Sequence, residues 1–239
     1  MTTLNPFFSY FGSKFRLAKY YPPPQCDEIV EPFAGSAGYA LRYPGASVTL
    51  YEIYEPLIEL WDYLIHVSEQ ELLSLPINNF NKENPIESVV KCIPARTLMG
   101  FWLTESQTSA SRYPLSKSRG GNWTDKKKLD LANQLKYIRH WKIEKKSFDQ
   151  ISNRQATWYI DPPYEKAGKR YKHNKIDYKV LGDWCKSREG QVIVCEQEPA
   201  NWLDFTILQT GKKLVRNASN EHYKEVMWHR NSEDAIISF

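Results

Sequence analysis

The stretch from Asp27 to Glu52 constrains the fold of this chain more than any other. Asp27-Glu28-Ile29-Val30-Glu31-Pro32-Phe33 is a short apolar strand that runs into Ala34-Gly35-Ser36-Ala37-Gly38, after which Tyr39, Ala40 and Leu41 open a helix. Val48-Thr49-Leu50-Tyr51-Glu52 is then a second strand, ending on a carboxylate. From Glu55 to Val67 the residues Leu57, Ile58, Leu60, Trp61, Leu64 and Ile65 fall at helical spacing. This βαβα unit implies a parallel sheet. In such a sheet ligands sit beyond the carboxyl ends of the strands, where a glycine turn lets backbone come close and an acidic residue ending the second strand accepts from ribose hydroxyls. Gly35 and Gly38 do not form the GxGxxG pattern, so a nucleoside fits better here than a pyrophosphate. Taken alone, the stretch also reads as an ordinary βα turn with a surface Glu52.

From about Leu75 to His140 the alternation stops. Pro76, Pro85, Pro94 and Pro114 interrupt apolar stretches, and a Ser/Arg/Gly-rich loop lies between Thr104 and Trp123. This insertion ends in a helix marked by Leu131, Leu135 and Ile138, behind Thr124 and Asp125, either of which can cap it. Strands then resume at Trp141 to Glu144, Ala156 to Asp161, Gln191 to Glu196, Phe205 to Leu208 and Glu225 to Trp228, with a helix from Tyr178 to Ser187. The expectation is an α/β fold, with helices on both faces of a sheet built from residues 1–74 and 141–239, and a small, mostly helical insertion at 75–140.

Charge singles out the same insertion. Residues 1–110 hold 7 basic and 12 acidic side chains, residues 111–146 hold 11 and 3, and residues 147–239 hold 14 and 13, so one segment at +8 accounts for the net +4 of the chain. A run of this kind is either a solvated face or a surface for a polyanion. Cys26, Cys92, Cys185 and Cys195 form no CxxC pair and no metal-ligand spacing with the scattered His residues, which reads as reduced thiols and no metal. No apolar run approaches the roughly 20 residues of a bilayer span, and the N-terminus has no signal-peptide pattern, so a cytoplasmic chain without a membrane partner is expected.

Asp161-Pro162-Pro163-Tyr164 ends a strongly apolar strand, at the ligand edge of the expected sheet. Neither proline has an N–H to donate to a ladder, so their carbonyls stay free beside one carboxylate and one aromatic ring. Acceptors in fixed relation to a flat ring suit an exocyclic amino group on a stacked base.

Three blocks now stand in order: Tyr10-Phe11-Gly12-Ser13-Lys14, Glu31-Pro32-Phe33-Ala34-Gly35-Ser36-Ala37-Gly38 and Asp161-Pro162-Pro163-Tyr164. Together they resemble the signature blocks of Dam-type DNA adenine N6-methyltransferases in the alpha arrangement, over most of the chain. The resemblance implies a Rossmann-like methyltransferase sheet carrying a DNA target-recognition insertion. It implies S-adenosylmethionine as cofactor, held by Tyr10, Phe11, Gly12, Lys14, Glu31, Phe33, Gly35, Gly38, Glu52, Tyr54, Phe148 and Asp161. It further implies that Asp161, Pro162, Pro163 and Tyr164 act on the target adenine. Many relatives carry Asp-Phe after the third strand, whereas this chain has Ser147-Phe148-Asp149, leaving the polar contact to Ser147 or Asp149.

With that resemblance the positive insertion reads as a DNA surface, through Arg112, Lys117 and Arg119. A second cluster with Lys166, Lys169 and Arg170, continuing to Lys172 and Lys175, reads as a clamp on phosphates flanking an extruded nucleotide. The expected activity is methyl transfer to N6 of a flipped adenine in a short site of double-stranded DNA, by a monomer or a dimer. The alternatives are a cytosine-N4 or RNA adenine methyltransferase, and an inactive DNA-binding relative.

Overall fold

The computed structural model describes residues 3–77, 80–104, 107–114, 123–209, 215–216 and 222–233. Its frame is a sheet of seven strands among these residues: β1 (Glu28–Glu31), β2 (Ser47–Glu52), β3 (Lys142–Lys145), β4 (Ala156–Ile160), β5 (Gly190–Gln197), β6 (Thr206–Ile207) and β9 (Glu225–Arg230). The spatial order is β3-β2-β1-β4-β5-β9-β6. The first five run parallel, while β9 lies antiparallel between β5 and β6. A separate two-stranded ribbon joins β7 (Val215–Arg216) to β8 (His222–Tyr223).

The central strands β4 and β5 are buried on both sides because both faces are covered, as a parallel sheet requires. Ile29, Leu50, Tyr159, Ile193 and Cys195 belong to one apolar core, together with Leu57, Leu60 and Trp61 of α1 (Glu55–His66). Val30, Trp158, Ile160, Val192 and Val194 belong to the other, with Leu181 and Cys185 of α6 (Tyr178–Lys186). Alternation along each strand thus assigns successive side chains to opposite helical layers.

Two elements differ from the sequence reading. The helix expected after the glycine turn is a single 3₁₀ turn, Ala40–Arg42. Tyr43 precedes Pro44, which disfavours helical backbone at Tyr43, and Gly45 follows, so the turn cannot propagate. Conversely, Pro94 does not interrupt structure but starts it. It occupies the first turn of α4 (Ile93–Leu103), where a missing N–H costs nothing.

The segment 75–140 also contains α3 (Ile86–Val89) and α5 (Asp125–Leu135), the latter capped by the Thr124 side chain accepting from Lys127 N. It shares the first core rather than building its own: Phe101 stacks on Phe8 at 5.4 Å, and Trp102 Nε1 donates to the Phe7 carbonyl at 2.8 Å. Buried Lys128 of α5 donates to the Leu73 and Leu75 carbonyls at the end of α2 (Glu69–Ser74). No helix among the described residues is long and apolar enough to cross a membrane.

Candidate active site

The strand order reverses between β1 and β4, and at such a point the loops leaving the strands diverge and open a crevice. A cavity of about 300 Å³ lies there. Every residue assigned above to the cofactor lines it: Tyr10, Phe11, Gly12 and Lys14; Glu31 ending β1, with Phe33, Gly35 and Gly38 after it; Glu52 ending β2, with Tyr54 after it; Phe148 after β3; and Asp161 after β4. Ser147 lines it too, while Asp149 is exposed outside, so Ser147 is the polar group at that end. A second cavity of about 570 Å³ adjoins the first and is lined by Pro162, Tyr164, Arg16, Trp102 and Glu225. Residues 10–14, Asp161 and Tyr171 stand on both.

The glycine turn is held by what surrounds it. Gly35 has φ +46°, a left-handed conformation that costs glycine little, and its N–H donates to Glu52 Oε2 at 3.3 Å. Glu52 Oε1 accepts from Ile53 N at 2.9 Å and Tyr54 N at 3.1 Å, turning the chain out of β2. Burial pushes the Glu52 carboxyl up, opposed by these three N–H groups. An ionised carboxylate offers about four acceptor positions, and these three bonds leave one. Gly38 serves a different purpose. A Cβ there would stand 2.7 Å from Phe15 N and 3.1 Å from Lys14 C, so glycine is needed for the N-terminal segment to pack against the turn. Glu31, buried under this turn, accepts from Ala40 N at 2.8 Å, and burial raises its pKa to about 8. At the far end of the cavity Phe33 and Phe148 lie with ring centroids 5.9 Å apart.

At the junction of the cavities Lys14 Nζ is 3.1 Å from Asp161 Oδ1, 3.9 Å from Glu225 Oε1 and 3.1 Å from the Gly12 carbonyl it donates to. Burial disfavours the Lys14 ammonium, but Asp161 and Glu225 override it and hold the group charged. Burial likewise raises the Asp161 pKa, opposed by Lys14 and by the Tyr164 hydroxyl. Tyr164 is only 9% exposed; Lys14 Nζ stands 4.4 Å from its ring centroid, and its hydroxyl donates to Glu225. The Pro163 carbonyl accepts from Tyr178 Oη at 2.6 Å, whereas among the described residues none donates to the Pro162 carbonyl.

Of the residues assigned to DNA, Arg112, Lys166, Lys169 and Arg170 line neither cavity. Arg112 is exposed and ion-paired with Glu87, and Lys117 and Arg119 fall outside the described residues. Lys166, Lys169 and Arg170 are exposed, with the Arg170 guanidinium 5.1 Å from the Phe11 ring, and none of them lines either cavity. Lys172 and Lys175, grouped with them by charge, instead line the first cavity beside His173 and Ile176. Sequence reasoning missed Glu225, Glu196 and Tyr171. Glu196, next to last in β5, accepts from the Glu165 N–H directly after the tetrapeptide at 3.1 Å, and burial brings its pKa to about 7. A carboxylate at or near the end of a buried strand was the available signal for Glu196, and it had served for Glu52. Compared with known proteins, the chain matches no protein-family model and no curated protein.

Proposed function

We propose that this chain transfers a methyl group from S-adenosylmethionine to N6 of an adenine flipped out of double-stranded DNA. The observation that carries the reading is the position of Asp161, which stands on both cavities. One cavity has the furniture of a nucleoside site and the other is bounded by the Pro-Pro-Tyr turn. The first fits the cofactor by its own chemistry: a recessed Glu52 with one acceptor position left, and aromatic rings at Phe33, Phe148 and Tyr54.

S-adenosylmethionine supplies, when bound, an electrophilic methyl on a positively charged sulfur. The residues of the chain do the rest. An adenine amino group is a weak nucleophile because its lone pair is delocalised into the ring. Asp161, beside the Lys14 ammonium, and the unclaimed Pro162 carbonyl accept its two N–H bonds and favour a localised lone pair. The Asp161 carboxylate also opposes the positive charge that builds on the nitrogen and is placed to take the proton it sheds. Two adjoining cavities hold both reactants at one junction, supplying the proximity contribution. N6 is out of reach within the stack, hence the need for flipping. Arg16 at the second cavity, and Lys166, Lys169 and Arg170 exposed in the chain just after the tetrapeptide, supply charge suited to phosphate.

Expression in a host lacking N6-methyladenine, followed by sequencing of its DNA, tests the proposal. Methylation at one short recurring site is expected. N4-methylcytosine, modified RNA or unmodified nucleic acid would assign the site to another reaction or to none.

A further inference from the structure

Glu225 opens β9, a strand that pairs antiparallel with β5 and reaches the tetrapeptide from the far half of the sheet. It is 5% exposed. Its Oε1 accepts from Tyr164 Oη and from Tyr21 Oη, the latter at 3.0 Å, and lies 3.9 Å from Lys14 Nζ. Lys14 therefore stands between a buried carboxylate, Glu225, and a half-buried one, Asp161, and is nearer to Asp161 at 3.1 Å. Tyr164 is fixed twice, by its hydroxyl on Glu225 and by the ammonium over its ring.

We propose that Glu225 is a positioning residue, which divides the Lys14 ammonium with Asp161 and sets the Tyr164 ring as the wall of the second cavity. One cation cannot neutralise two carboxylates at once, so ionised Glu225 makes Asp161 harder to ionise. The groups facing this pair are Lys14 and Tyr21 from the N-terminal segment, Glu31 of β1, Tyr159 of β4, Tyr164, and Cys195 of β5. Burial raises the tyrosines and Cys195, which stay neutral, so Lys14 is the cation that the carboxylates share. The consequence for catalysis rests on the role proposed for Asp161; the electrostatic division does not.

The test is carbon-detected NMR titration of the Asp161 carboxyl in the full chain, in wild type and in Glu225→Gln, with methyl transfer followed across pH. Glutamine keeps an acceptor for both tyrosines and removes the charge, so the Asp161 titration should fall by about one pH unit. The acid limb of kcat/KM should follow it downward. Tyr21→Phe, which weakens the Glu225 anion while leaving its carboxyl in place, should move Asp161 the same way by less. A Glu225→Gln titration identical to wild type would overturn the proposal. If the titration moves while wild type transfers no methyl group to DNA, the division of Lys14 stands and the methyltransferase reading falls.

Discussion

Gly38 and Glu52 show how single residues set the site. At Gly38 the need is packing, because a methyl group would meet the Lys14–Phe15 backbone at 2.7 Å. Gly38→Ala should therefore cost about 1–3 kcal/mol by overpacking and move Lys14 off Asp161. Denaturant unfolding and transfer assays should fall together, and a variant as stable as wild type would show that the segment yields. Glu52→Gln keeps an oxygen for the turn but gives up the charge. Cofactor affinity by calorimetry should drop about tenfold, roughly 1.4 kcal/mol, with stability little changed; unchanged affinity would confine Glu52 to the turn. Residues marked by position at a strand end were legible in sequence. Glu225 was not, since it meets Tyr21 across 204 positions of chain through an antiparallel pairing that no local pattern announces.

Among elements, legibility followed how completely local chemistry decided the outcome. β1, β2 and β4 were read close to their observed spans because short, mostly apolar or β-branched stretches end at Pro-Phe, Glu or Asp-Pro-Pro. α4 was hidden because a proline breaks a helix interior but suits its first turn, and only the tertiary placement distinguishes the two. Lys172 and Lys175 were grouped by charge with a DNA clamp; they also line the first cavity, in a segment tied to the N-terminal block by Tyr171 Oη donating to the Phe11 carbonyl at 3.0 Å. The entry to the sheet offers a pH test. Arg154, just before β4, makes paired hydrogen bonds of 2.8 Å to both oxygens of Glu28 at the start of β1. These bonds hold the Glu28 pKa below the usual value. A depressed carboxylate contributes stability above its unfolded pKa of about 4.3, and that contribution is lost as pH falls through the folded value. Glu28→Gln should accordingly be less stable than wild type at pH 7, with the gap closing below about pH 4. A gap independent of pH in denaturant unfolding would mean that charge is not what Arg154 recognises.

For the whole molecule, the sheet brings three separated blocks to one junction, and among the described residues none of 111–146 lines either cavity. Cofactor chemistry and DNA affinity should then be separable. Replacing Lys117 and Arg119 together by Ala should weaken DNA binding and flatten its dependence on log salt by up to about one unit per lost phosphate contact, with cofactor affinity unmoved. An unchanged salt slope would shift phosphate binding to the cluster from Lys166 to Lys175. The central claim is that Asp161 is where methyl donor and adenine meet. Its most direct test is transfer of labelled methyl from S-adenosylmethionine to double-stranded DNA, with nucleoside analysis of the product, by wild type and Asp161→Ala. Wild type should yield N6-methyladenine, and Asp161→Ala should bind cofactor and DNA nearly as well yet turn over far more than tenfold slower, a barrier increase well above roughly 1.4 kcal/mol. Turnover by Asp161→Ala within about tenfold of wild type, or label on any other nucleoside, would contradict it.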